Sequence, residues 1–139
     1  MEKQAEKFEQ KVTSLKEARL QLLKLHKLLV DMERENYEKE NGRITSGQFL
    51  NLLVNDSNFS WLRKFSTLIV EIDEMLDLDD GYTEQMIEKQ FSQMRNLLNL
   101  ENAEQDFRTK YQNVLQSNYE VAGKHGELKN LLADKEKKA

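Results

Sequence analysis

The sequence predicts an all-α fold: an up-and-down helical bundle of about four main helices, one or two of them split, with a long first helix. Three observations carry this. Apolar side chains recur every three to four positions almost throughout, which is the spacing of one helix face. Proline is absent, so no ring interrupts a helix. The junctions are short, polar and carry helix-capping residues. The run LIVEID at 68–73 has some strand propensity, but its surroundings keep the helical period.

The first helix is expected from about Glu2 to Glu40. Its stripe is Phe8, Val12, Leu15, Arg19, Leu22, His26, Leu29 and Glu33, in alternating steps of four and three, a heptad seam. From Leu20 to Met32 the helix is apolar nearly all round, so that half should be deeply packed. The first half has one narrow seam and should lie along a neighbour or on another chain. Asn41-Gly42 is a helix stop in which glycine takes the left-handed conformation. Thr45 to Gln48 has the spacing of a capping box, and a short helix through Phe49, Leu50, Leu53 and Val54 follows, ending near Asn55-Asp56. Ser57 is the expected cap of a longer helix carrying Trp61, Phe65, Leu68, Ile69, Ile72 and Leu76. After the polar turn DLDDGY, Thr83 caps a helix with Ile87, Met94, Leu97 and Leu98. Asn102 to Gln105 resembles another capping box, before Phe107, Tyr111, Val114 and Leu115. Ser117 to Glu120 repeats the signal before Val121, His125, Leu128 and Leu132. Residues 1–19 thus form an extension continuous with the first helix, 20–133 the bundle domain and 134–139 a charged tail.

With 139 residues the chain fits one domain, large enough to hide roughly two thirds of its unfolded surface. No cysteine is present, which removes disulfides, thiolate nucleophiles and cysteine-held metals. Apolar runs fall far short of the roughly 20 residues that span a bilayer, so no membrane role is expected. MEKQAEKFEQ has no hydrophobic signal region, and a cytoplasmic location is expected. A net charge of −4 argues against nucleic acid as a partner. Between Phe65 and Glu88 there are eight acidic residues and no basic one, most simply a hydrated face, with a dock for a basic partner as the other reading.

Both histidines, His26 and His125, fall on interior stripes, with Glu33 on the seam of the first and Asp73 at the edge of the third. If the first and last helices are neighbours, the four could meet. A buried imidazole with a carboxylate binds ligands or metals, or handles protons. The plainer reading is a polar network that fixes helix register. Diiron bundles need Glu-x-x-His pairs, but Leu23 and Ala122 stand three before the two histidines. His-Glu-x-x-His is missing as well. Asp77 to Glu88 fails as a calcium loop, because Gly81 and Tyr82 fall where an oxygen ligand and a glycine are needed. Gly47, Gly123 and Gly126 do not form a phosphate loop, and no serine sits on a nucleophile turn. Trp61 reads as core. Arg63 and Lys64 have no acidic residue three or four positions away and read as solvated charges.

The run LHKLLVDMERENYEKENGRITSGQFLNLLVNDSNFSWLRKFSTLIVEIDE, residues 25–74, resembles a family of small bacterial helical-bundle proteins of uncharacterised activity. The shared pattern is LHK-x-L-x-D-x-E-R, an N-D turn, F-x-W-L-R and I-D-E. VLQSNYEVAGKHGELKNLL is similar to that family's closing helix. Where the family pattern has prolines this chain has Gly47 and Ser57, which leaves those helix starts to capping alone. The resemblance singles out His26, Asp31, Glu33, Arg34, Trp61, Arg63, Asp73 and His125 as positions that belong together, with Asp31, Arg34, Trp61 and Arg63 at the surface or behind the others. It implies no activity.

Together these readings give a non-catalytic binding or scaffolding module that acts through helix surfaces. No cofactor or metal is expected, and the partner is a protein or a second copy engaged by the N-terminal helix. The alternative is a small-molecule or metal site, possibly enzymatic, in the interior around the two histidines.

Overall fold

The computed structural model describes residues 2–138; the side chains of Asn102 and of 134–138, hence most of the charged tail, fall outside the description. It is all-α, and no strand occurs among the described residues. The helices are α1 (Glu2–Asn41), α2 (Ser46–Asn55), α3 (Arg63–Leu76), α4 (Glu84–Leu98), α5 (Gln105–Ser117) and α6 (Tyr119–Lys138). A 3₁₀ turn at Ser57–Leu62 leads into α3. Helix α1 lies against α3, α4 and α6, while α5 packs on α6 and on the 3₁₀ turn.

The boundaries follow from local chemistry. Gly42, at φ 85°, ends α1 in the left-handed region, and Gly81, at φ 79°, shapes the turn before α4. Thr45 closes the predicted capping box: its Oγ1 accepts from Gln48 N at 3.1 Å, and Gln48 Oε1 accepts from Thr45 N at 2.9 Å. Thr83 caps α4 through Met86 N at 3.2 Å. Thr45→Ala is expected to cost about 1 kcal/mol, the usual worth of such a cap, read as a lower urea midpoint with an unchanged slope.

Three predicted starts move. Asp56, not Ser57, caps the segment before α3, accepting from Asn58 N at 2.8 Å; the 3₁₀ turn already begins at Ser57, so the preceding carboxylate holds the cap position. The box expected at 102–105 would use the Asn102 side chain, which lies outside the description; α5 begins after Glu104, which makes no side-chain cap. Asn118, not Ser117, caps α6 through Val121 N at 3.1 Å. The Ser117 hydroxyl instead donates back to the Asn113 carbonyl at 2.8 Å.

The core takes Leu15, Ala18, Leu22, Leu25 and Leu29 from α1, all fully buried, along with Phe65, Ile72, Ile87, Met94, Tyr111, Val121 and Leu128. One packing expectation needs correction, and one helix leaves apolar side chains outside. Leu20 and Leu23 are 39% and 38% exposed, so α1 is not buried all round between Leu20 and Met32. In α2 only Phe49 is buried, whereas Leu50 and Val54 are 60% and 58% exposed. Five apolar residues in a ten-residue helix exceed what one face can hide. The N-terminal seam meanwhile packs on its own chain. Phe8 stacks on Tyr82 at 5.9 Å between centroids, Val12 packs against the core, and Lys11 pairs with Glu84 and, at 2.8 Å, with Glu88.

Candidate functional site

Antiparallel packing of α1 on α3 decides where the predicted polar residues go. Arg19 grips Asp73 through two nitrogens, the Nη2 to Oδ2 bond measuring 3.1 Å. His26, two turns further along α1, stacks on Phe65, two turns back along α3. Asp73 is therefore displaced from His26 by about 10 Å along the helix axis, and it serves as the partner of Arg19 at the edge of the seam. Glu33 lies two turns beyond His26 in the other direction, where α1 meets the 3₁₀ turn and α5. Burial holds its carboxyl above the usual carboxylate range, and the Lys110 ammonium and the Trp61 indole pull it partly back.

The two imidazoles are half-buried and each packs on a different ring of an aromatic core. His26 stacks on Phe65 at 6.4 Å, Phe65 meets Tyr111 edge to face at 5.4 Å, and Tyr111 meets His125 at 5.3 Å. The histidines are thus linked through two rings, and neither stacking nor a hydrogen bond joins them directly. His125 Nδ1 lies 2.7 Å from the Tyr111 hydroxyl. Burial lowers the pKa of both histidines, with Lys129 adding to the effect at His125. The expected cluster of His26, Glu33, Asp73 and His125 is accordingly split into three places. Among the described residues no group of three His, Asp or Glu side chains is placed to hold a metal ion.

The remaining predicted positions have structural work. Asp31 is exposed and pairs with Lys27 at 2.8 Å. Arg34 donates to the Ile44 carbonyl at 2.8 Å and to Ser46 Oγ at 3.3 Å, and lies over the Phe49 ring, fixing the α1–α2 turn. Trp61 is core, 3% exposed among Phe65, Phe107 and Tyr111. Arg63 and Lys64 are not simply solvated. Arg63 donates to the Val54 and Leu53 carbonyls at the end of α2, where the helix dipole favours a cation. Lys64 pairs with Glu104 at 3.5 Å and sits 4.9 Å over the Phe107 ring. These partners come from distant segments, which is why no local spacing announced them. In the acidic block, Asp73, Glu84 and Glu88 have cationic partners on α1.

What sequence reasoning missed is a cleft of about 440 Å³ between α1, α2 and the start of α3. Its walls are Val30, Leu50, Leu53, Val54, Phe59 and Leu62; its polar groups are His26, Arg63 and Ser66. Two other grooves are of comparable size. In the one between α3, α4 and α5, Lys64 and Glu104 pair with each other; in the one between α1 and α6, so do Lys27 with Asp31 and Lys124 with Glu127. His26 differs, because burial alone perturbs it and no charged or hydrogen-bonding neighbour claims its ring. The apolar surplus of α2 was the one signal in the sequence that pointed here.

No known protein family, curated protein or solved structure matches the chain. The grouping of the eight singled-out positions therefore rests on the motifs alone, and the structure distributes them over several sites. No helix among the described residues is long and apolar enough to cross a membrane.

Proposed function

We propose that the protein is a non-catalytic binding module that works through a helix-lined surface, the cleft between α1, α2 and α3. The observation that carries this reading is the outward face of α2. Leu50 and Val54, one turn apart, are each more than half exposed at the mouth of an apolar cleft, and exposed apolar side chains around a concavity mark sites of association. Chemistry has less support there. His26 has neither a carboxylate to orient it nor a hydroxyl nucleophile bonded to it, the pairings that acid–base and covalent catalysis require.

The other readings have less behind them. Self-association through the first helix loses its seam to Tyr82 and to the cations and anions of α1 and α4. A shared interior site for both histidines lacks a direct contact between them, since His26 packs on Phe65 and His125 on Tyr111. The test uses an uncharged apolar dye, Nile red. Its emission is expected to rise on titration and to saturate at one dye per chain. Leu50→Ser with Val54→Thr should weaken that binding about fivefold or more while the fold is kept, since exposed substitutions usually change stability by only about 0.5 kcal/mol. A native protein that leaves the dye dark would end this reading.

A further inference from the structure

The charge around the cleft goes one step beyond the proposed binding role, on which it rests. The lining contains a guanidinium, an imidazole and a hydroxyl, and no carboxylate at all. The two grooves of comparable size each carry carboxylates, Glu71 and Glu104 in one and Asp31, Glu120 and Glu127 in the other. Arg63 spends one terminal nitrogen, Nη2, on the carbonyls of α2, leaving Nε and Nη1 as single donors on separate edges of the guanidinium, either of which can give a carboxylate oxygen one charge-assisted hydrogen bond. The carboxylates that share a groove with Arg63, which are Glu71 and Glu104, line the neighbouring one between α3, α4 and α5, where Glu104 pairs with Lys64, and they do not line this cleft. Ser66 Oγ already donates to the Arg63 carbonyl at 3.2 Å, which steadies the first turn of α3 beneath the guanidinium.

We propose that the cleft takes a carboxylate-bearing amphiphile, its apolar body against Val30, Leu50, Leu53 and Phe59 and its carboxylate on Arg63. A cationic amphiphile would meet Arg63 as a like charge, and an uncharged one would leave the guanidinium donors unused. Both therefore bind less well.

Calorimetric titration of the full chain with decanoate, decanol and decylammonium, each below its aggregation concentration, tests this. Decanoate is expected to bind about tenfold more tightly than decanol, the ordinary gain from a charge-assisted hydrogen bond, and decylammonium more weakly than either. Arg63→Gln should bring decanoate to the level of decanol and leave decanol unchanged. Because Arg63 also caps α2, a second variant leaves that cap alone: Val54→Glu, at an exposed rim position, should lower the affinity for decanoate several-fold more than that for decanol, since both lose the valine side chain and only decanoate meets a like charge. Decanol or decylammonium binding as tightly as decanoate would overturn the carboxylate assignment while keeping the binding role. Failure of all three to bind would overturn both.

Discussion

Phe65→Ala is expected to cost about 3–5 kcal/mol, the range for deleting a large buried aromatic. Phe65 is fully buried, and its ring touches four others: Trp61 at 6.3 Å, Phe107 at 5.9 Å, Tyr111 at 5.4 Å and His26 at 6.4 Å. Those neighbours come from α1, the 3₁₀ turn and α5, so the ring joins segments distant in sequence. Alanine removes the buried ring area and leaves a cavity whose walls are themselves rigid rings that collapse poorly. It also ends edge-to-face pairs worth about 0.5–1.5 kcal/mol each beyond their area. Set against a typical domain stability of about 5–15 kcal/mol, the variant sits near its threshold. Urea titration followed by the emission of Trp61, the sole tryptophan, measures the loss directly. Val70→Ala, on the same helix but 52% exposed, should change stability by about 0.5 kcal/mol or less. A Phe65→Ala cost no larger than that of Val70→Ala would place the packing centre elsewhere.

Much of this arrangement is readable in the residues themselves, and the reason is local. The period of the apolar positions assigns every helix, and Gly42, Thr45 and Thr83 set boundaries through bonds that span three or four residues. Such signals sit within a single turn of chain. The candidate site was harder to read because its geometry depends on register between helices. Arg19 and Asp73 are both visible as charged intruders on their stripes, yet their pairing follows only once α1 and α3 are laid antiparallel. The same register that joins them keeps Asp73 away from His26. Tyr111 looks like one more core aromatic, and nothing within its own helix foretells that its hydroxyl meets His125. The cleft needs three elements at once, and periodicity within one element is blind to that. Only the excess of apolar residues in α2 hinted that some of them face outward.

The Tyr111–His125 pair sets the second large effect, a loss of stability at alkaline pH. Burial pushes the Tyr111 hydroxyl far above its ordinary value of about 10. The folded protein therefore keeps this proton at pH values where the unfolded chain has released it. Stability is full below about pH 10 and falls as pH rises beyond it, at about 1.4 kcal/mol per pH unit for one proton. Tyr111→Phe removes this proton's share of the slope and leaves in place the other tyrosines and the share of Lys11, whose pKa Glu84 and Glu88 also raise. The same variant is expected to cost about 1–3 kcal/mol at neutral pH, because the half-buried His125 Nδ1 loses the hydroxyl 2.7 Å away. The sign reverses for the histidines. Burial lowers the pKa of His26 and of His125, so the unfolded chain binds protons first as pH falls. Their contribution is complete above about 6.5 and is lost as pH drops toward the depressed folded values. Glu33 opposes this, since its raised pKa lets the folded state take up a proton early on acidification. His26→Gln with His125→Gln should flatten the slope just below pH 6.5 without touching the alkaline limb. Urea midpoints collected from pH 4 to 11 on the three proteins separate the effects, and an alkaline slope undiminished in Tyr111→Phe would show that the buried phenol is not its source.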